Sequence, residues 1–230
     1  MKVLCTICAR GGSKGVKNKN LLKINNKSLI EVTYDISKKI NYISKTSFSS
    51  DSEKLLSHAK KLNIEYILKR PKYLALSNTP KILAIRHLLN NSEIFYNTKF
   101  DYIVDLDVTS PLRAKKDIED CILKLKKKNF DAVVTVNKSR RNPYYNIIEK
   151  KKNKFDVSIK RKSLFFSRQS APVVFDLNPS IYVWKRDYLL KTNNLFSGNV
   201  GIHILKNIQS IDIDSYEDYR YIKYIMEKKI

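Results

Sequence analysis

The sequence predicts an α/β fold with a mostly parallel sheet that is covered by helices on both faces. In the first 136 residues, short apolar runs alternate with amphipathic stretches, as they do in repeated strand–helix–strand units. The first run, VLCTICA, is rich in β-branched and apolar residues, as expected of a strand buried on both faces. The chain has 230 residues, of which 43% are apolar, so one domain with a sizeable core is expected.

Each element is predicted from these patterns in chain order. The first helix begins with a capping box, because Ser28 is followed three residues later by Glu31. Pro80 suits the first turn of a later helix. Apolar runs predict strands at 2–9, 45–50, 64–68, 101–106, 131–136, 181–184 and about 200–205. Amphipathic stretches predict helices at 28–41, 52–62, 80–91, 115–128 and 216–228.

The alternation stops after residue 136. Residues 138–180 mix basic, aromatic and polar side chains, include Pro143, Pro172 and Pro179, and lack helical periodicity. The sequence contains neither an internal repeat nor a low-complexity linker that would divide the chain. We therefore expect a single domain over residues 1–230 with an insertion or protruding lobe in this region.

The charge is strongly unbalanced, with 45 basic and 22 acidic residues and a net charge of +23. This excess favours a polyanionic partner such as nucleic acid, or a small substrate rich in phosphate. The 35 Lys and 10 Arg are spread along the chain, which argues against nucleic-acid binding as the main function. No apolar run approaches the ~20 residues of a membrane helix, and the N-terminus has no secretory signal, so no membrane partner and a cytoplasmic location are expected.

The three cysteines do not form a disulfide framework. Cys5 and Cys8 have CxxC spacing, but a strand directs residues three apart to opposite faces. We therefore expect buried thiols and not a shared metal site.

Three of the five glycines lie in one loop directly after the first strand. Glycine is used where the backbone takes unusual torsions or closely approaches a ligand. The loop residues offer backbone N–H groups, a hydroxyl and an ammonium to a phosphate, with further lysines behind them. Its spacing matches neither a P-loop nor a dinucleotide-binding motif. The loop therefore predicts a triphosphate site built from Arg10, Gly11, Gly12, Ser13, Lys14, Lys17, Lys19, Asn20 and Lys23, and the alternative is a tight turn without a ligand.

Two further clusters carry polar side chains. Asp212 and Asp214 are two residues apart on an extended segment, so their carboxylates face the same side and could hold Mg²⁺ with substrate phosphate oxygens. The alternatives are a solvated pair, or Asp214 as the N-cap of the last helix. Asp107, Thr109 and Ser110 follow a strand and suit a polar substrate, or form a capped turn into the next helix.

Five motifs together carry a resemblance to a known family. They are ARGGSKGVKNKNL, the SSD at 49–51, LDVTSPLR, RQSAPVVFDLNPSIYVW and IDID, and they span residues 3–214. The sequence resembles the acylneuraminate cytidylyltransferases, also called CMP-sialic acid synthetases. CARGGSKGVKNKN, RRNPYYN and RQSAP are most similar to the bacterial branch that activates legionaminic-type nonulosonic acids.

The resemblance implies a cytidylyltransferase that joins CTP and a nine-carbon 2-keto sugar acid to give a CMP-sugar and pyrophosphate, for surface glycan or flagellin glycosylation. It implies a Rossmann-like three-layer α/β/α nucleotidyltransferase fold in which 137–178 forms a dimerisation lobe. The homodimer would share its active sites, with Arg140 or Arg141 reaching the neighbouring site. Mg²⁺ is the expected cofactor, for which Mn²⁺ can substitute.

The resemblance also implies residue roles. Arg10, Lys19, Asp212 and Asp214 would be catalytic, and the two aspartates would bind the metal. The CTP-binding residues would be Arg10, Gly11, Gly12, Ser13, Lys14, Lys19, Asn20, Arg70, Ser77 and Thr79. The sugar-binding residues would be Asp107, Thr109, Ser110, Arg168 and Gln169.

Two positions depart from the family pattern. Relatives often carry Gln-Pro where Asp107-Val108 stands, and an acid in place of an amide removes N–H donors and adds a charge. Pro179 stands where relatives often have Gly, which deletes one backbone N–H. Two other functions stay open: a Kdo cytidylyltransferase, whose loop usually carries Arg-Leu-Pro in place of Gly15-Val16-Lys17, and a basic nucleic-acid-binding protein on the same fold.

Overall fold

A seven-stranded sheet organises the chain in a computed structural model, which describes residues 1–12, 15–161, 165–167 and 169–228. The strands are β1 (Val3–Cys8), β2 (Lys23–Ile24), β3 (Lys27–Ser28), β4 (Lys45–Ser50), β5 (Tyr66–Lys69), β6 (Tyr102–Leu106), β7 (Ala132–Lys138), β8 (Ile148–Lys151), β9 (Lys154–Val157), β10 (Phe175–Lys185) and β11 (Val200–Ile204). The helices are α1 (Leu29–Lys38), α2 (Glu53–Lys61), α3 (Lys81–Phe95), α4 (Lys115–Lys128), α5 (Arg186–Lys191) and α6 (Tyr216–Lys228).

The order of the strands in the main sheet is β11-β7-β10-β6-β1-β4-β5. All neighbouring pairs are parallel except the two that β10 makes with β6 and β7. This confirms the predicted, mostly parallel sheet. After β1 the chain builds one side of the sheet with β4 and β5, and then crosses to the other side of β1 with β6. Such a reversal opens a crevice at the carboxyl ends of the strands, where α/β proteins bind ligands.

Helices cover both faces of the sheet. The apolar residues of α1, α2, α4 and α6 belong to one core cluster, and those of α3 and α5 belong to the other. Strand β1 divides its side chains between the two, with Cys5 in the first cluster and Cys8 in the second. The expectation that these two thiols face opposite sides is therefore confirmed. Burial raises the pKa of Cys8 to about 12, and that of Cys5 further.

The predicted boundaries agree well for most elements. The strand at 45–50 and the helices at 115–128 and 216–228 have the predicted limits. Ser28 is the N-cap of α1, and its side chain accepts a hydrogen bond from the Glu31 backbone N–H. Among the described residues, no helix is both long and apolar enough to cross a membrane.

The prediction is less accurate after β7. Residues 138–180, for which no strand was predicted, contain the β8–β9 hairpin, and the strand predicted at 181–184 is the end of the eleven-residue β10. Pro179 lies within β10, where a proline would normally remove a ladder hydrogen bond. The register shifts between Asn178 and Tyr182, so Pro179 falls in a bulge. The hydroxyl of Thr135 fills this gap in the ladder by accepting the Ile181 N–H.

Candidate active site

A cavity of about 430 Å³ opens at the carboxyl ends of β1 and β6. Its volume lies in the range of small-molecule sites. It is lined by Cys8, Ala9, Arg10, Gly15, Lys19, Asn20, Arg70, Leu74, Ala75, Leu76, Thr79, Lys81, Asp107, Thr109, Pro179, Asp212 and Asp214. The cavity thus brings together the glycine loop, the segment after β6 and the paired aspartates, which are far apart in the sequence.

The glycine loop is held in place by contacts from other elements. The Gly11 backbone N–H donates to Asp51 Oδ1 at 3.0 Å, just beyond the end of β4. Asn20 is buried, and its Nδ2 donates to the backbone oxygen of Arg10 at 2.9 Å. The Asn20 amide therefore braces the loop from within. Ser13 and Lys14, which were predicted to bind CTP, lie outside the described residues.

Close packing, and not a positive φ, explains the glycines at positions 11 and 15. All five glycines lie in the described part of the chain, and none has a positive φ. A Cβ on Gly11 would lie 2.7 Å from Ser52 Cβ, and a Cβ on Gly15 would lie 2.3 Å from the backbone oxygen of Asp214. A Cβ on Gly12 would meet no described atom within 4 Å. Gly15 therefore lets the loop lie directly on the segment that carries the aspartates.

The paired aspartates are held by the residue between them. Ile213 is fully buried in the core, and its N–H donates to the Thr109 backbone oxygen at 2.9 Å. Asp212 and Asp214 consequently both face the cavity. Lys19 Nζ lies 2.9 Å from Asp214 Oδ1. Burial raises the pKa of Asp212, and the neighbouring carboxylates of Asp214 and Asp107 raise it further.

The last helix does not use Asp214 as its cap. The Asp218 N–H donates to Ser215 Oγ, and Asp218 in return accepts from the N–H groups of Asp214 and Ser215. This reciprocal arrangement provides hydrogen-bond partners for backbone N–H groups at the N-terminus of α6. The Asp214 carboxylate is therefore left to the cavity, and the alternative that it caps the helix is wrong.

The carboxylates at this end of the cavity suit a divalent cation. Within the described ranges, no three His, Cys, Asp or Glu side chains form a complete metal site. Mg²⁺ is commonly held by one or two carboxylates together with substrate phosphates and water. Asp212 and Asp214 provide such a partial set, and a cation would relieve the crowding that raises the Asp212 pKa. The donor set therefore fits Mg²⁺.

The cavity lining also contains a buried arginine. Arg70 is 5% exposed, and its Nε has no hydrogen-bond partner among the described residues. Thr79 lines the same cavity and donates its hydroxyl to the Tyr73 backbone oxygen at 2.7 Å. Ser77 is exposed and is not part of the cavity lining, although it was predicted beside Thr79.

The segment after β6 carries an ion-pair cluster that the sequence analysis missed. Lys81 Nζ lies 2.7 Å from Asp105 Oδ2 and 2.8 Å from Asp107 Oδ2. Asp107 Oδ1 accepts the backbone N–H and the hydroxyl of Thr109 at 2.9 and 2.8 Å. Burial alone would raise the pKa of Asp107, but Lys81 and Thr109 hold it well below its usual range. Ser110 is fully buried behind this segment and does not line the cavity.

Gln169, the other described residue that was predicted to bind the sugar, does not line this cavity. Gln169 lines a separate cavity of about 380 Å³ beside Asn142 and Pro172. Arg168 lies outside the described residues. Arg140 and Arg141 line a third, open cavity near the end of β11.

The Tyr144 ring has two neighbours within the chain, with the Arg161 guanidinium 4.7 Å from its centroid and Phe165 in an edge-on contact. One face of this ring is therefore occupied by Arg161 and is not free to stack on a nucleic-acid base.

Comparison with known proteins identifies the family. The family model described as "Cytidylyltransferase" matches residues 4–230. The chain belongs to this family. The predicted resemblance is thereby confirmed, and the chain is a nucleotidyltransferase enzyme.

This cytidylyltransferase is similar to curated proteins over nearly its whole length. It is 38% identical to post-translational flagellin modification protein B of Campylobacter coli, over 99% of this chain and 96% of that protein. It is 37% identical to the CMP-N,N'-diacetyllegionaminic acid synthase of Campylobacter jejuni, with the same coverage. The N-acylneuraminate cytidylyltransferase of Escherichia coli is 26% identical over 99% of this chain and 53% of its own length. The similarity is thus stronger to the legionaminic branch, as the motifs predicted.

Solved structures confirm the Rossmann-like nucleotidyltransferase fold. A CMP-2-keto-3-deoxy-manno-octonic acid synthetase in complex with CTP superposes with a TM-score of 0.73 at 12% identity, over 100% of both chains. A 4-diphosphocytidyl-2C-methyl-D-erythritol synthase gives a TM-score of 0.67 at 10% identity, over 98% of both chains.

The packing of Gly15 on Asp214 predicts an asymmetry between two glycine substitutions. Gly15→Ala should lower the free energy of unfolding by about 1–3 kcal/mol, because the new methyl displaces the Asp214 backbone. Gly12→Ala should leave it unchanged or raise it by about 0.4–1 kcal/mol, since the site is open and the torsion is compatible with alanine. Urea unfolding of both variants without ligand measures the difference, and equal values would contradict the close-packing argument.

Proposed function

We propose that this cytidylyltransferase joins CTP to a nine-carbon 2-keto sugar acid of the legionaminic type, giving a CMP-sugar and pyrophosphate. The observation that carries the proposal is the 37% identity, over almost both entire chains, to a CMP-N,N'-diacetyllegionaminic acid synthase. Similarity to a flagellin modification protein supports flagellin or another surface glycan as the destination of the product.

The reaction is a substitution at the α-phosphorus of CTP. The oxygen of the anomeric hydroxyl bonds to the α-phosphorus, and the bond from that phosphorus to the pyrophosphate oxygen breaks. The hydroxyl proton passes to a carboxylate in the cavity, for which Asp212 and Asp214 are the candidates. The enzyme mainly orients the two substrates and offsets the charge that develops on the phosphate oxygens.

The cations of the cavity suit the phosphate chain. Arg10, Lys19 and the backbone of Gly11 and Gly12 would bind the phosphates and stabilise the departing pyrophosphate. Lys19 is paired with Asp214 in the unligated chain, so phosphate binding would compete for its ammonium. Mg²⁺ held by Asp212 and Asp214, or Mn²⁺ in its place, would supply positive charge to the α-phosphate when bound. Arg70 and Thr79 also line the cavity and would contact the cytidine.

The homodimer is also part of the proposal. Within the described parts of 137–178, large apolar side chains are unusually exposed: Tyr145, Ile147, Ile148, Phe155, Ile159, Phe166, Val173, Phe175 and Leu177. An exposed apolar surface of this kind is typical of a protein interface. Gln169 lies on the same segment, away from the cavity of its own chain. We propose that this lobe packs on a second copy and brings Gln169 to the neighbouring active site.

The reaction is tested by measuring pyrophosphate release from CTP with Mg²⁺ and a panel of acids. The panel comprises N,N'-diacetyllegionaminic, pseudaminic and N-acetylneuraminic acids and Kdo, with ATP, GTP and UTP as nucleotide controls. We expect release with CTP and a legionaminic-type acid. Release with Kdo alone would favour the alternative Kdo activity, and no release from folded, CTP-binding protein would contradict the proposed function.

Removing either negative charge of the aspartate pair should abolish turnover. Asp212→Asn and Asp214→Asn are expected to lower kcat by about 10³-fold or more while leaving the circular-dichroism spectrum unchanged. Asp120→Asn, on the outer side of α4 where Asp120 pairs with Lys116, serves as the matched control with unaltered kcat. A near wild-type rate in either site variant would remove that aspartate from the mechanism.

Shared active sites predict complementation between inactive variants. If the lobe crosses the interface, each active site contains Asp214 from one chain and Gln169 from the other. Asp214→Asn and Gln169→Ala then damage residues that different chains contribute to one site. Mixing equal amounts under exchange conditions should restore about a quarter of wild-type activity, since half of the dimers would contain one intact site. Sedimentation would check that both variants remain dimeric. If both variants are dimeric and their mixture is no more active than either variant alone, each chain forms its active site from its own residues.

A further inference from the structure

Lys81 is fixed in an unusual position for a lysine that lines a cavity. It is the first residue of α3, and its ammonium lies between the carboxylates of Asp105 and Asp107. Asp105 is 2% exposed, and its other oxygen accepts the Thr6 hydroxyl at 2.9 Å. Both acids are thus held from behind, so the ammonium between them is held as well.

Among the described residues, the Lys81 ammonium has two hydrogen-bond partners for its three N–H groups. It carries three N–H groups, and two are directed at Asp105 and Asp107. The Lys81 side chain is 36% exposed to solvent, and it lines the cavity together with Thr109 and Pro179. The third N–H is therefore available to a bound molecule at a position that the protein has already ordered.

The charge around this donor is balanced within the protein. Asp105 and Asp107 each carry a negative charge, and Lys81 offsets one of them. The Arg113 guanidinium donates to the backbone oxygen of Asp107 and to that of Ser180 at 2.6 Å, so a second buried cation lies beside the pair. A substrate carboxylate would find no uncompensated positive charge here. A neutral acceptor, such as a hydroxyl or an amide carbonyl, gains the hydrogen bond without meeting a net charge.

We propose that Lys81 is a specificity-determining residue that donates its third N–H to a neutral hydroxyl or N-acyl oxygen of the sugar acid. The inference rests on the proposed function and assigns part of the sugar end of the cavity. Asp105 and Asp107 are positioning residues in this arrangement, because they act on the substrate by orienting Lys81.

The test compares Lys81→Met with Lys185→Met in the pyrophosphate-release assay, using N,N'-diacetyllegionaminic acid. Lys185 is a matched control, since its Nζ pairs with Asp131 at 3.2 Å and it does not line the cavity. Lys81→Met should raise the KM for the acid by about 10- to 100-fold, the usual loss for one hydrogen bond from a charged donor, with the KM for CTP little altered. Lys185→Met should change neither constant.

A second variant separates substrate contact from charge compensation. Lys81→Met combined with Asp105→Asn restores the charge balance while still lacking the ammonium. If Lys81 contacts the acid, the double variant keeps the raised KM. If the lysine only neutralises the aspartates, the double variant recovers a wild-type KM, and the inference is overturned.

Analogues of the acid identify the acceptor. The panel contains acids that each lack one hydroxyl or one N-acyl group. In the wild type, the analogue without the contacted oxygen should bind more weakly than the parent, and in Lys81→Met the two should bind alike. Equal effects of Lys81→Met on every analogue would contradict the contact. If the wild type turns over the acid and Lys81→Met has the same KM as the wild type, this inference alone is overturned. If the wild type turns over none of the acids, the proposed function is overturned, and this inference with it.

Discussion

The attachment of Ile213 to the core is the constraint on which the candidate site depends. The Ile213 side chain is fully buried, and its backbone N–H donates a hydrogen bond to the Thr109 backbone oxygen in the loop after β6. Because Ile213 is fixed in this way, Asp212 and Asp214 on either side of it are held facing the cavity. Gly15 lies directly on the backbone of Asp214 because it has no Cβ. Two segments about 200 residues apart in the sequence are thereby fixed against each other. The glycine loop and the carboxylates are therefore positioned as one unit.

The cations that line the cavity are of two kinds. Arg10 has no carboxylate partner within 4 Å among the described residues, and Lys19 is shared with the exposed carboxylate of Asp214. On the proposed function, a phosphate chain can recruit these two groups at little cost. Lys81, in contrast, is paired with the carboxylates of Asp105 and Asp107, so it adds little net positive charge. The first kind of cation favours an anionic nucleotide, and the second favours a neutral part of the sugar acid. The net charge of +23 would speed the encounter with both anionic substrates.

The elements that could be predicted from sequence are those whose signal is local. The Ser28–Glu31 capping box and the opposite faces of Cys5 and Cys8 follow from residue spacing alone. The direction of β10 could not be predicted, because alternation of side chains is the same in parallel and antiparallel strands. Its length was underestimated because Pro179 indicates a break unless the bulge around it is known. The loop glycines were predicted to permit unusual torsions or the close approach of a ligand, whereas Gly15 permits the close approach of the Asp214 backbone.

The sequence identifies an acid at position 107 but cannot identify what offsets it. The family resemblance implies an amide at this position, and an acid there removes N–H donors from the cavity lining and adds a negative charge. Lys81 supplies both missing properties at the same place, since its ammonium offsets the carboxylate and still presents one N–H to the cavity. The two residues are 26 positions apart, and only the approach of α3 to the end of β6 brings them within 2.8 Å. Lys81 begins a helix after Pro80, so its local pattern indicates a helix start and nothing more. The departure at position 107 and the lysine are therefore one structural feature, in which the N–H donor is on the first residue of α3 and not on the residue that follows β6.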